Sequence, residues 1–280
     1  MTGPVPDAAR RAAERFAALP AVEAVALGGS AATGLADAGS DADLYVYAAA
    51  PLAPADRQRA VAPLADGPPV RVVQWGDEDA WTDSATGTPV EAIYWETGWI
   101  EDELDRVLHR HEARLGYSTA LWFTVRVSRP LFDRRGWFAA LQAEAARPYP
   151  PALRRSVLAL NRPTLRGLPA SYRHQLVRAA ARGDRVALNH RAAAFLASYF
   201  DGLFAANLQP HPGEKRLLEH AERLCPHRPE SLREDVGAFL DAASVEAVGA
   251  AADRLADDLD QTLDALGLLS DAAPALAPLS

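Results

Sequence analysis

Residues 27–47 read LGGSAATGLADAGSDADLYVY. Two glycines and a serine close one apolar run, a loop of small residues follows, and an Asp-Ala-Asp pair opens a second apolar run. Residues 22–27 and 42–48 therefore read as two strands flanking that loop. Successive side chains of a strand point to opposite faces, so Asp41 and Asp43 project the same way, with Ala42 opposite. Two like charges so placed repel each other unless a cation lies between them. A hard divalent ion such as Mg²⁺, which takes carboxylate and phosphate oxygens together, suits that position. The Gly28-Gly29-Ser30 turn is expected to lead into a helix, offering backbone N–H groups and a hydroxyl to an anion that can approach closely. Gly29 and Ser30 thus read as a phosphate cradle beside a metal clamp.

Working outward, residues 7–19 predict a first helix, 56–64 a short one, and 70–75 and 90–95 two further strands. Beyond residue 100 the pattern becomes helical almost throughout, with Pro and Gly marking the breaks, among them Pro130 and Pro163. The predicted helices are 101–116, 137–146, 151–160, 169–182, 185–206, 214–224, 230–241 and 244–267. This is an α+β chain: a mixed sheet with helices over 1–100, an all-α helical bundle over 101–270, and a tail at 271–280. All six tryptophans lie between Trp75 and Trp137. They are expected to pack the junction of the two halves or to line a cleft there.

The formal charge of −8 over 280 residues disfavours a long nucleic-acid partner gripped by a broad basic surface. A single cysteine, Cys225, leaves no internal disulfide and no multi-cysteine zinc site, which fits a reducing cytoplasm. No run approaches the length of a membrane span, and the first residues lack the apolar segment of an export signal. The seven histidines repeat no recognised ligand spacing; His109 and His111 are expected to diverge on a helix. The acidic stretch WETGWIEDELDRV is expected to place carboxylates in a helix's first turn, or to form an acidic lip for a cationic acceptor. Asp77, Glu78 and Asp79 beside Gly76 read as a solvated turn.

Gly-Ser, about ten residues, then Asp-x-Asp leading into an apolar strand resembles the nucleotidyltransferase superfamily of DNA polymerase β type. Within it, the chain resembles the small enzymes that adenylylate aminoglycosides or lincosamides in antibiotic resistance. The resemblance covers roughly residues 22–47 and implies a third carboxylate on a later strand, for which Glu91 is the match, as metal ligand, general base or both. It also implies a lysine from the helical half on the nucleotide's phosphates. Lys215, the chain's only lysine, follows a Pro-Gly turn where a helix is expected to open, with Asn207 a weaker candidate. The implied activity is Mg²⁺-dependent transfer of a nucleoside monophosphate, AMP from ATP, to a hydroxyl of a small molecule such as an aminoglycoside, with release of pyrophosphate. The alternatives are a tRNA or protein acceptor of toxin–antitoxin type, or a nucleotide-binding regulatory module without transfer. The sequence names neither the acceptor nor the oligomeric state.

Overall fold

The computed structural model of this chain describes residues 4–34, 40–72 and 77–270. They fall into two compact units, one built from the chain up to Asp105 with Thr124–Arg147, the other from Arg106–Phe123 with the residues from Pro148 on. The segment after residue 100, expected to be wholly helical and separate, thus divides between the units.

In the first unit the elements run α1 (Asp7–Ala17), β1 (Val22–Leu27), α2 (Gly29–Thr33), β2 (Ala42–Ala48), α3 (Pro54–Val61), β3 (Val70–Val72), β4 (Glu78–Thr82), β5 (Pro89–Glu96) and α4 (Thr97–Leu108). The chain returns through α5 (Ala120–Val127) to β6 (Arg129–Asp133) and α6 (Trp137–Ala145). The six strands form one mixed sheet in the order β3-β4-β5-β2-β1-β6. Only β2 and β5 run parallel; the other neighbours are antiparallel. Every residue of β1 is buried, as expected for an interior strand covered on both faces. The alanine-rich stripe of α1, ending in Phe16, packs on Leu27, Leu44, Val46 and Ala92, with Phe16 edge-on to Tyr94 at 5.7 Å. On the opposite face Tyr47 meets Phe138 of α6 at 5.0 Å.

Two strands depart from the sequence expectation. Pro130, taken for a break, lies in β6, an edge strand, where its missing N–H removes no interior hydrogen bond. Glu78 and Asp79, taken for a solvated turn, are buried on β4. Asp79 tolerates burial because the Tyr94 hydroxyl donates to it at 2.9 Å and Arg57 stands 3.5 Å away. The strand expected over 70–75 is seen over Val70–Val72; residues 73–76, Trp75 among them, lie outside the described residues.

The second unit contains α7 (Pro151–Arg166), α8 (Tyr172–Ala181), α9 (Arg185–Ala206), α10 (Leu217–Leu224), α11 (Leu232–Asp241) and α12 (Val245–Ala265). Its centre is α9, whose second half is buried all round: Phe195, Tyr199, Phe200, Leu203 and Phe204 meet Leu158, Leu165, Leu176, Leu255, Leu259 and Leu263. Asp184 and Ser244 cap α9 and α12 by accepting from Ala187 N–H and Ala247 N–H. Pro163 does not end α7, since its carbonyl still accepts from Gly167 N–H at 2.9 Å. Helix α4 stops at Leu108, short of the expected 116, so His109 and His111 lie outside it and His111 takes φ +57°. The first turn of α4 holds no acid, contrary to the macrodipole expectation. Instead Glu101 accepts from the Trp137 indole at 2.6 Å and Glu103 is buried.

A buried polar network sits beside α9. Asp201 accepts from the Ser118 amide at 3.1 Å, the Ser118 hydroxyl at 2.6 Å and Asn161 Nδ2 at 3.1 Å. Arg106 donates to the Ser118 and Glu112 carbonyls. The segment before α5 is thereby held with Gly116 at φ +74° and Tyr117 at φ +54°, a conformation that persists only when its surroundings over-determine it. Burial lifts the Asp201 carboxyl to about 7 against the pull of its three donors.

Candidate active site

The site begins where β1 ends. Gly28 N–H donates to the Asp43 carbonyl at 2.8 Å, tying the turn to the start of β2. Gly29 takes φ +56°, and a Cβ there would overlap Asp43 Oδ2; a Cβ on Gly28 would overlap the Tyr45 ring. Both glycines are therefore fixed by the close approach of the turn to β2, a requirement that stands apart from any anion. The expected helix follows immediately as α2, five residues long. Ser30 opens it half-buried. Its hydroxyl has no hydrogen-bond partner among the described residues.

Asp41 stands one residue before β2 and Asp43 within it, the latter buried. Parallel pairing sets Asp43 directly across from Glu91 on β5, so the two side chains share a face. One carboxylate oxygen from each of Asp41, Asp43 and Glu91 lies within 4.8 Å of the others. Glu91 thus sits on an interior strand, not a water-facing edge. Three hard oxygen donors so close, with a glycine at 29 leaving space over Asp43, fit a divalent cation. No other group of three His, Cys, Asp or Glu side chains among the described residues meets that geometry.

A fourth carboxylate adjoins them. Glu78 on β4 pairs with Ile93, two residues along β5 from Glu91, and so projects on the same face. Burial, then the charge of Glu91, push its carboxyl above the ordinary range. The sequence reading missed this residue because acids in a row beside a glycine look like a turn. The hidden signal was the alternation of EDAWT, which puts Glu78, Ala80 and Thr82 on one face. Tyr45 borders the site, stacked on Trp95 at 4.5 Å; burial and the Asp43 charge hold its hydroxyl above its ordinary value.

A sequence model described as a nucleotidyltransferase domain matches residues 9–126. That stretch is similar to a nucleotidyltransferase domain. The matched span contains α2, β2 and β5, and with them Gly29, Ser30, Asp41, Asp43 and Glu91. No curated protein matches the chain. Among solved structures it is similar to a nucleotidyltransferase-like protein from Exiguobacterium sibiricum 255-15, with 13% identity and a TM-score of 0.43, over 93% of this chain and 76% of that one.

Lys215 lies in the second unit, exposed, in the turn two residues before α10 begins, not on the helix as expected. Asn207 is engaged structurally, donating to the His227 carbonyl at 2.8 Å and accepting from His227 N–H at 2.9 Å. Cys225 is buried and its thiol is pushed up to about 12, an inert position. No helix among the described residues is long and apolar enough to cross a membrane.

Proposed function

We propose that this chain is a nucleotidyltransferase that transfers AMP from ATP to a hydroxyl of a small, aminoglycoside-like acceptor and releases pyrophosphate. The observation that carries the reading is the convergence of Asp41, Asp43 and Glu91 beside the Gly28-Gly29 turn. The acceptor oxygen would bond to the α-phosphorus as the bond to the pyrophosphate oxygen breaks. Asp41, Asp43 and Glu91 would hold Mg²⁺, which neutralises charge on the triphosphate when bound. Gly29 N–H and the Ser30 hydroxyl would donate to phosphate oxygens. The Glu91 carboxylate is the candidate to take the acceptor's proton. Lys215 is the candidate phosphate contact contributed by the helical unit. A cytoplasmic setting fits the single buried thiol.

The test is pyrophosphate release with ATP and Mg²⁺ across a panel of aminoglycosides, lincosamides, tRNA and protein acceptors. Release with a small aminoalcohol acceptor, lost in Asp41→Asn and Asp43→Asn, supports the reading. Release only with tRNA or protein moves the acceptor class. ATP binding without release from any acceptor favours a regulatory module.

A further inference from the structure

At the end of β2 and β5 far from the carboxylate triad lies a cavity of ≈ 250 Å³, lined in part by Leu52, Arg57, Asp77, Trp95, Glu96 and Trp99. Strands β2 and β5 are parallel and in register, so this end is opposite the carboxylate triad. Five strand steps from Glu91 to Glu96 amount to roughly 16 Å. A small ligand in the cavity does not reach the triad.

The lining has a definite chemistry. Trp99 is 44% exposed, a large apolar ring left open to solvent, and it tilts against Trp95 at 5.5 Å and 50°. The charges behind these rings balance. Arg57, fully buried, lies 4.5 Å over the Tyr94 ring, with Nη1 3.5 Å from Asp77 and Nε 3.5 Å from Asp79. Arg71 adds a bond to Asp77 at 2.8 Å. Two guanidinium groups thus face two carboxylates. Glu96 is left over: it is exposed and its carboxylate has no ion pair or hydrogen bond among the described residues. An uncompensated carboxylate beside an open indole face is the combination that selects a positively charged carbon-bearing nitrogen, because the ring face attracts the cation and its alkyl groups alike.

We propose that this cavity binds an organic ammonium ion, with Trp99 and Trp95 against its alkyl groups and Glu96 as counter-ion, at a site separate from the transfer centre. Leu52, Pro51 and Ala48 complete an apolar floor for the alkyl part, while the Arg57 charge on the lining is offset by Asp77 and Asp79.

The test is calorimetric titration of the full chain with choline and with its uncharged isostere 3,3-dimethyl-1-butanol. Choline should bind saturably, and the isostere at least about tenfold more weakly. Trp99→Leu and Glu96→Gln, both exposed and therefore tolerated by the fold, should each weaken choline by about tenfold or more, while Trp99→Phe retains most of the affinity. Asp43→Asn should leave choline binding unchanged, so the outcome is independent of whether the transfer reading holds. Equal binding of choline and the isostere, affinity untouched by both Trp99→Leu and Glu96→Gln, or no binding of choline would each overturn the proposal.

Discussion

Two sets of acidic side chains, one in each unit, are built on opposite plans. In the helical unit a single carboxylate, Asp201, is wrapped by three donors that come from Ser118 and Asn161. In the sheet unit three carboxylates, one just before β2, one on β2 and one on β5, bring their oxygens within 4.8 Å of one another, with a fourth, Glu78, close enough to feel Glu91. The first arrangement is satisfied by the chain itself and fixes a strained loop. The second gathers like charges, which destabilises the fold unless something positive arrives. Burial of an acid alone therefore does not mark a candidate site; the two places differ in that one gathers donors around a single carboxylate and the other gathers carboxylates.

The largest effect that would sharpen this contrast is chemical. Asp43→Asn and Asp41→Asn should each lower pyrophosphate release by about a thousandfold, while thermal unfolding shows the fold intact. Asp201→Ala should do the reverse. It leaves the buried Ser118 N–H without its acceptor and removes one acceptor each from the Ser118 hydroxyl and Asn161 Nδ2, and should cost roughly 3 kcal/mol in denaturant unfolding, with turnover per folded molecule retained below the shifted midpoint. If Asp201→Ala lost turnover while stability held, the two plans would not differ as described.

Gly29→Ala probes the junction of the turn with β2. A residue with a Cβ at φ +56° meets Asp43 Oδ2 and should cost roughly 2 kcal/mol, together with most of the activity, read by unfolding and pyrophosphate assays on one preparation. The smallest effect is a pH dependence. The Asp201 carboxyl is raised to about 7 when folded, so the native state holds its proton over a range where the unfolded chain has lost it. Stability from this group is complete below the ordinary carboxylate range and falls as pH rises toward 7. Between pH 6 and 8 the loss should be roughly 1 kcal/mol, flattening above that, and Asp201→Asn should remove the slope. Urea midpoints at matched ionic strength check it.

The clustering of the three carboxylates was largely readable from the sequence because their spacing obeys the period of a strand. The same-face rule gives Asp41 and Asp43 directly, and the last strand before the helical half, VEAIYW, presents Glu91 at its start. The glycines were readable as a close approach, although the structure assigns that approach to Asp43 and Tyr45. What the sequence concealed follows from compensation at a distance. Asp79 looks solvated until Arg57 and Tyr94, distant in the chain, are brought beside it. Pro130 looks like a breaker until an edge strand makes its missing donor harmless. Asp201 interrupts an otherwise apolar stretch of α9, SYFDGLF, and only Ser118, 83 positions away, explains why it is tolerated there. Local periodicity carries the strands that bear the site, while tertiary pairing decides which acids are silent.

The central claim, that Asp41, Asp43 and Glu91 form one divalent-metal site, is tested most directly by Mn²⁺ binding, followed by calorimetry and electron paramagnetic resonance in the presence of a non-hydrolysable ATP analogue. The account predicts saturable binding in the parent chain, loss of at least tenfold in affinity in each of Asp41→Asn, Asp43→Asn and Glu91→Gln, and no change in Asp201→Asn. Binding that survives all three substitutions unchanged would contradict it.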